Sequence, residues 1–595
     1  MAAAIYARAR VYEGLEDFGK AIDDIKECLS ILDQSLDGDP ILRGVVLYEL
    51  GRDYYINHQY EEAYQLTQKA LEYRKKLYGS EINDEIIDCI VQLANIEDEL
   101  GHYNDSIEHA EEALELLRCI GKEDSVNAAR CHYRIAYVSN TLGNYSTAIA
   151  HSLTCYNIRS THEMEDPNDT ARAAYEVAYS YYKSKDIEAA QKWVRITLEL
   201  REKMGDSVSK SYCTAQNLYG VILYDMNKNE EALEHYKIVL DWREKNLPAL
   251  DPDISSILKN TAYVYMHMNS YQKAYKLFCR VVQIQIDNKD KDNHLIYALN
   301  NLAECIKKEH IEPEKTTEII SNLISNGIRN KGTANLCNRG ALDYFYKNDL
   351  DESLKLFLLQ IEILRNDLQE ESDDTALALM NVGIIWYNKN ENEKALEYYR
   401  LVLDWRERNL SSCDSEISSI LSNMALSYMQ MTKYQEAYNL LRRAINIQLE
   451  NGDENQLIDN LLNNLTDCIK VLHISPEITS GIINQLISNN VRTKGTANLC
   501  NRCAFDYYYK KNIDESLNLF SLEINILKES LQEESCDTAF ALRTAGLLQR
   551  DKGQIKKAIE LLNESYSIYK VLLGDNGEDT LLIQKEIQRL SALRK

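Results

Sequence analysis

Residues 219–236 read YGVILYDMNKNEEALEHY. Two small residues, Gly220 and Ala232, stand twelve positions apart, and an aromatic residue follows four positions after each of them, at Tyr224 and Tyr236. This spacing predicts two antiparallel helices that approach closely at their small residues, with large side chains filling the gaps beside them. The stretch therefore predicts a helix-turn-helix unit.

The second of these small residues recurs along the whole chain. The interval between successive members is 42 residues in ten of thirteen steps, 43 in one and 37 in two. A period of this size is typical of stacked repeat proteins, and it directs the functional question to the surface that the repeats present. The fourteen members are Ala21, Ala63, Ser106, Ala148, Ala190, Ala232, Ala274, Thr316, Ser353, Ala395, Ala437, Thr479, Ser516 and Ala558.

The first small residue recurs as well, twelve positions before the second in twelve of the fourteen units. In the two remaining units the nearest equivalents are Ala303 and Thr466, thirteen positions before. Two correlated columns predict fourteen helical pairs. The members of the first column are Ala9, Gly51, Ala94, Ala136, Ala178, Gly220, Ala262, Ala341, Gly383, Ala425, Ala504 and Gly546.

The pattern resembles that of the tetratricopeptide family, whose unit has a Leu-Gly-x-x-Tyr first helix and an Ala-x-x-x-Phe second helix. Here Val382-Gly383 through Trp386 and Ala395 through Tyr399 follow it, and the resemblance extends to about residue 575. It implies an all-α, right-handed superhelix. The usual repeat has ~34 residues, and the longer repeat found here is similar to that of kinesin light chains.

A longer period lies over the short one. The pentapeptide LDWRE at 240–244 returns at 403–407, and KGTANLCNR at 331–339 returns at 494–502, both at an offset of 163 residues. We infer that a block of four repeats was duplicated. The chain then divides into divergent repeats one to five with the start of the sixth (1–215), copy one (216–378), copy two (379–541), a last repeat (542–577) and an amphipathic capping helix (578–595).

Composition excludes several classes of function. The net charge of −26 argues against nucleic acid as the main ligand, because phosphate backbones are bound by Lys and Arg. No apolar run has the length of a membrane span, and fourteen scattered cysteines without a leader segment predict a cytoplasmic protein. We find no catalytic or metal motif beyond a lone Cys500-x-x-Cys503 pair, and we therefore predict no enzymatic activity and no cofactor.

The most informative column for function lies two residues before the first small position. In tetratricopeptide folds this place faces the concave groove, and the resemblance implies the same here. Asparagine is a mediocre helix former, and its amide can both donate to and accept from the backbone of an extended peptide. Arginine at the same place can hold a carboxylate with two hydrogen bonds. The predicted peptide-binding residues are Asn260, Asn301, Arg339, Asn381, Asn423, Asn464 and Arg502.

Duplication offers another explanation of the recurring asparagine and arginine in this column, since residues 423, 464 and 502 are the copies of residues 260, 301 and 339. Asn381 is independent of the duplication, because its counterpart in copy one is Leu218. We predict a non-catalytic scaffold that binds a protein or peptide, with acidic side chains or a free carboxylate in the ligand.

Two alternatives remain open: the recognition arm of a larger enzyme or signalling protein, and a cargo adaptor like kinesin light chain. The chain begins inside the first helix of its first repeat. This start predicts either a longer protein or an uncovered N-terminal face through which two chains could pair.

Overall fold

The computed structural model describes residues 1–15, 17–34, 39–79, 81–161, 167–288, 293–451, 455–532 and 534–593. Within these residues it contains 29 α-helices, two short π-helical turns and no strand. The chain divides into two compact units, Met1–Asp290 and Lys291–Lys595. The predicted all-α repeat fold is confirmed. The unit boundary falls inside the predicted copy one, and the division into duplicated blocks stays a prediction about how the sequence arose.

Unit 1 holds the first seven helical pairs. Its helices are Ala2–Gly14 (α1), Phe18–Gln34 (α2), Pro40–Ile56 (α3), Tyr60–Tyr78 (α4), Asp84–Glu99 (α5), Tyr103–Cys119 (α6), Val126–Thr141 (α7), Tyr145–Thr161 (α8), Pro167–Lys183 (α9), Ile187–Lys203 (α10), Lys210–Asp225 (α11), Asn229–Asn246 (α12), Pro252–His267 (α13) and Tyr271–Asp287 (α14). Odd-numbered helices are the first helices of their repeats, and even-numbered helices are the second.

Unit 2 holds the other seven repeats and a final helix. Its helices are Asn293–Glu309 (α15), Pro313–Ser325 (α16), Lys331–Tyr346 (α17), Leu350–Glu362 (α18), Asp373–Asn388 (α19), Asn392–Asn409 (α20), Ser415–Gln430 (α21), Tyr434–Asn451 (α22), Asn455–Leu472 (α23), Pro476–Ser488 (α24), Lys494–Tyr509 (α25), Ile513–Asn525 (α26), Cys536–Asp551 (α27), Ile555–Leu573 (α28) and Glu578–Leu593 (α29). The π-helical turns, Ile363–Asp367 and Ile526–Ser530, continue α18 and α26.

The small residues lie at the contact between the two helices of a repeat. All fourteen members of the second column are completely buried. A Cβ atom added to Gly220 would lie 2.5 Å from Cε1 of Tyr236, so the ring occupies the space that the glycine leaves. In two of the three units whose second small residue is serine, its hydroxyl donates to a backbone carbonyl of the first column: Ser106 to Ala94 and Ser353 to Ala341, each at 2.7 Å. The predicted close approach of the helices is therefore present.

Repeats eight and twelve depart from this arrangement. Their second helices begin at Pro313 and Pro476, as expected, because proline fits the first turn of a helix. Within the described residues α15 packs on α17 to a far greater extent than on α16, and α23 packs on α22 and α25 to a far greater extent than on α24. Ala303 and Thr466 are only half-buried, so these repeats lack the close contact of two small residues.

The final helix covers the end of unit 2. Ile583 and Leu590 of α29 are buried against α28, and Ile587 packs beside them. Two ion pairs tie α29 to α27: Arg543 to Asp579 and Arg550 to Glu586, each at 2.7 Å. The predicted capping helix is confirmed.

First helices of neighbouring repeats also contact one another. In unit 1 the contacts run from α3 through α13, and in unit 2 they link α19, α21 and α23. In the described ranges, no second helix contacts the second helix of the next repeat as extensively as these first helices contact one another. The first helices therefore form the more tightly spaced layer of each unit, and we call the surface that they present the inner face.

Candidate functional site

All seven predicted binding residues lie on first helices and are half-buried. Asn260 lies on α13 of unit 1. The other six lie in unit 2, one on each first helix from α15 to α25. Their role in binding stays a prediction, and the seven side chains differ in what they contact.

Three of the asparagines have unoccupied amides. Asn381, Asn423 and Asn464 lie on α19, α21 and α23, three consecutive first helices that contact one another. In the described part of the chain none of their side-chain amides makes a hydrogen bond. Each is partly exposed, so its donor and its acceptor can reach a ligand.

The two arginines are already paired. Nε of Arg339 donates to Oδ2 of Asp343 at 3.0 Å, and a second nitrogen bonds the other carboxylate oxygen. Arg502 and Asp506 repeat this geometry at 3.1 and 2.7 Å. Each acid lies one turn along the same helix, so the sequence spacing carried a signal for these pairs. A ligand carboxylate must therefore replace, or share, the carboxylate already bound to each guanidinium.

Asn260 and Asn301 also have partners within the chain. Nδ2 of Asn301 donates to the carbonyl oxygen of Tyr297 at 2.7 Å. Nδ2 of Asn260 donates to Oδ1 of Asn217 in the preceding repeat at 3.4 Å. These two amides keep only part of their hydrogen-bonding capacity for a ligand.

Unit 2 has a pocket of about 590 Å³ beside Arg502 that sequence reasoning missed. Glu523 of α26 is 97% buried at its wall (3% exposed), and both of its carboxyl oxygens accept from Nδ2 of Asn501, at 3.0 and 3.1 Å. Burial raises the pKa of Glu523 to about 8. Phe505 and Phe540 line the same pocket, with ring centroids 6.2 Å apart. We call it the copy-two pocket.

Unit 1 has a smaller pocket of about 200 Å³ that is rich in arginine. Its four guanidinium groups belong to Arg130, Arg134, Arg159 and Arg172. Asp169 pairs with Arg159 at 2.8 Å and also with Arg172. The arrangement already holds one carboxylate and is chemically suited to anions. Of these four arginines, only Arg134 lies two residues before a first small residue, the position from which the binding residues were predicted.

The lone Cys-x-x-Cys pair is part of the core. Cys500 and Cys503 are both buried, and burial raises the pKa of each thiol. Among the described residues no group of three or more His, Cys, Asp or Glu side chains is placed to hold a metal ion. None of the helices in the described ranges combines the length and the apolar character needed to cross a bilayer.

Comparison with known proteins agrees with the helical pairs. The family model "Tetratricopeptide repeat" matches residues 2–31. The anaphase-promoting complex subunit CDC16 of Saccharomyces cerevisiae is 27% identical over 119 residues, which are 20% of this chain and 13% of that protein. The chain therefore matches only a small part of its relative's length.

Two solved structures are similar at low identity. The apo form of RapI has a TM-score of 0.40 at 16% identity, over 61% of this chain and 98% of RapI. BtubC (BKLC) from P. vanneervenii has a TM-score of 0.26 at 16% identity, over 46% of this chain and 93% of BtubC.

Successive helical pairs whose first helices share one face are the architecture of helical-repeat scaffolds that bind other proteins. The family model matches the first helical pair, and the buried small-residue columns continue the same packing along the chain, so the chain carries repeats of the tetratricopeptide type.

Proposed function

We propose that the protein is a non-catalytic scaffold that binds an extended segment of a partner protein along the inner face of unit 2. The observation that carries the proposal is the row formed by Asn381, Asn423 and Asn464, whose amides are partly exposed and unoccupied within the described residues. An asparagine amide can pair with a peptide group whatever side chain that residue carries. The row therefore suits recognition of a backbone.

The spacing of the row fits an extended chain. Packed helices lie about 8–10 Å apart, and an extended peptide rises about 3.3 Å per residue. Successive asparagines on α19, α21 and α23 then meet the ligand about once every three residues. Three such contacts span a segment of about seven residues.

We also propose that acidic side chains or a free carboxylate of the partner bind at Arg339 and Arg502. Both guanidiniums already hold a carboxylate in the required geometry, at Asp343 and Asp506. A partner carboxylate replaces or shares that internal one, and the guanidinium keeps a carboxylate partner in either case. All fourteen cysteines lie within the described residues as thiols, and ten of them are buried, which supports a reducing compartment such as the cytoplasm.

The proposal is tested with peptides selected from a displayed random library on the full chain. A selected peptide is resynthesised with single N-methylated backbone amides and, separately, with single alanine replacements. We expect binding to weaken at N-methyl positions spaced about three residues apart, because each methyl removes a backbone donor. A peptide whose affinity depends on its side chains alone, with no effect of N-methylation, contradicts backbone recognition.

A further inference from the structure

The two copies of the duplicated block differ at the wall of the copy-two pocket. At an offset of 163 residues, copy one has Gln360 where copy two has Glu523. Both side chains are buried, at 3% exposure each. One copy thus holds a neutral amide and the other an ionisable carboxyl group at the same place in the fold.

The two copies also differ in the aromatic residues at this place. Copy one has Leu342 and Leu377 where copy two has Phe505 and Phe540. Phe505 is held edge-on against the buried ring of Phe520, with centroids 5.3 Å apart. A carboxyl group and two aromatic rings have therefore replaced an amide and two aliphatic chains. Carboxylates and aromatic faces both attract cations, and aliphatic side chains do not.

The basic side chains around this pocket do not occupy the carboxyl group of Glu523, because they are paired with other acids or exposed. Arg502 is neutralised by a carboxylate, that of Asp506 in the free protein and that of the partner in the proposed complex. Lys470 is exposed, and Asp467 of the same helix also lines the pocket. Asp537 lines it too and pairs with Lys494 at 3.4 Å. The most deeply buried ionisable group at the wall is therefore the carboxyl group of Glu523.

We propose that the copy-two pocket binds the side chain of an arginine residue in the partner segment. This inference rests on the proposed function, because it assigns one side chain of the peptide that the inner face binds. A guanidinium group presents two parallel N–H groups to a carboxylate and stacks its flat face on aromatic rings. Glu523 supplies the carboxylate, and Phe505 and Phe540 supply the rings.

The hydrogen bonds of Glu523 leave room for this ligand. The single nitrogen of Asn501 bridges both carboxyl oxygens, and each oxygen keeps a second lone pair. Burial keeps the pKa of this carboxyl near 8, so at neutral pH it is largely protonated in the free protein. An entering guanidinium favours the ionised form, and the proton leaves to solvent.

The test uses saturation-transfer NMR on the full chain. The probe is Nα-acetyl-arginine methylamide, and the neutral comparison is the citrulline derivative of the same shape. We expect saturation of the arginine probe several-fold above that of the citrulline probe, and at least a fivefold loss of this signal in Glu523→Gln. The substitution introduces the residue that copy one carries at this place, which the fold accommodates.

The matched control is Glu515→Gln, the same side-chain replacement at an exposed position of the same helix. It should leave the arginine signal unchanged. Equal saturation of the arginine and citrulline probes by the unmodified protein overturns the inference, as does an equal loss of signal in the two variants.

A third variant separates this inference from the proposed function. Asn381→Ala with Asn423→Ala alters α19 and α21, and neither residue lines the pocket. We expect it to keep the arginine signal while it weakens the selected peptide. Full peptide affinity in this variant contradicts the proposed function alone, whereas loss of the arginine signal there contradicts the assignment to the pocket.

Discussion

At the scale of single residues, the fold depends on positions where the absence of a large side chain lets two helices approach each other. Gly383 lies against the ring of Tyr399, and an added Cβ atom would lie closer to Cε1 than van der Waals contact allows. Tyr399 is 1% exposed and has no free space into which to move. The first small column is therefore a packing requirement, as the sequence spacing predicted.

We expect Gly383→Ala to destabilise the protein by about 1–3 kcal/mol, the usual cost of overpacking a tight core. The measurement is urea unfolding followed by circular dichroism. Gly481 is the matched control, because it lies in α24 and a Cβ atom there would meet nothing within 4 Å. Gly481→Ala should instead stabilise the helix by up to about 1 kcal/mol. A Gly383→Ala variant as stable as the unmodified protein contradicts the assignment of this contact.

Residues with polar functions were harder to predict than these packing residues. The helical period was enough to put Asn381 on the first helix of its repeat, whereas its role in binding stays a prediction. It did not foresee that Arg339 is paired with Asp343, although the two stand four residues apart. Glu523 lies on a second helix, outside the column that was followed, and only comparison with Gln360 of the other copy would have singled it out.

At the scale of helices, sequence periodicity located the pairs and missed their local departures. Proline at 313 and 476 marked two helix starts that the structure confirms. The π-helical turns after α18 and α26 were not predicted, because one hydrogen bond of different register leaves the apolar pattern almost unchanged. Each turn stands at the same place in its copy of the block, so it is a regular feature of the repeat.

The final helix gives a prediction at this scale. Ile583→Asp places a charge at a position that is 1% exposed, whereas Leu582→Asp changes a neighbour that is 46% exposed. Burial of an unpaired charge is strongly unfavourable, so we expect Ile583→Asp to detach α29 locally. Hydrogen exchange should then speed up in α28 and α29 and stay unchanged in unit 1. Equal exchange in the two variants contradicts the capping role.

At the scale of the whole molecule, each unit combines a core made by helical pairs with an inner face made by first helices. Stability in such arrays is distributed over neighbouring repeats, so the inner face can carry polar residues that the core does not need. Sequence periodicity was sufficient to predict the architecture. It could not identify the partner, because side chains at a binding surface are chosen by the ligand and not by the packing.

The central claim is that the unoccupied asparagines of unit 2 bind the partner. It is tested most directly by calorimetric titration of a selected peptide into the full chain and into the triple variant Asn381→Ala, Asn423→Ala, Asn464→Ala. A second triple variant, Asn439→Ala, Asn518→Ala, Asn563→Ala, removes three exposed amides from second helices of the same unit.

Each hydrogen bond contributes about 0.5–1.5 kcal/mol, so loss of three should weaken binding by about tenfold or more. The second triple variant should bind like the unmodified protein. Equal affinity of the unmodified protein and the first triple variant, with helicity retained, contradicts the proposal.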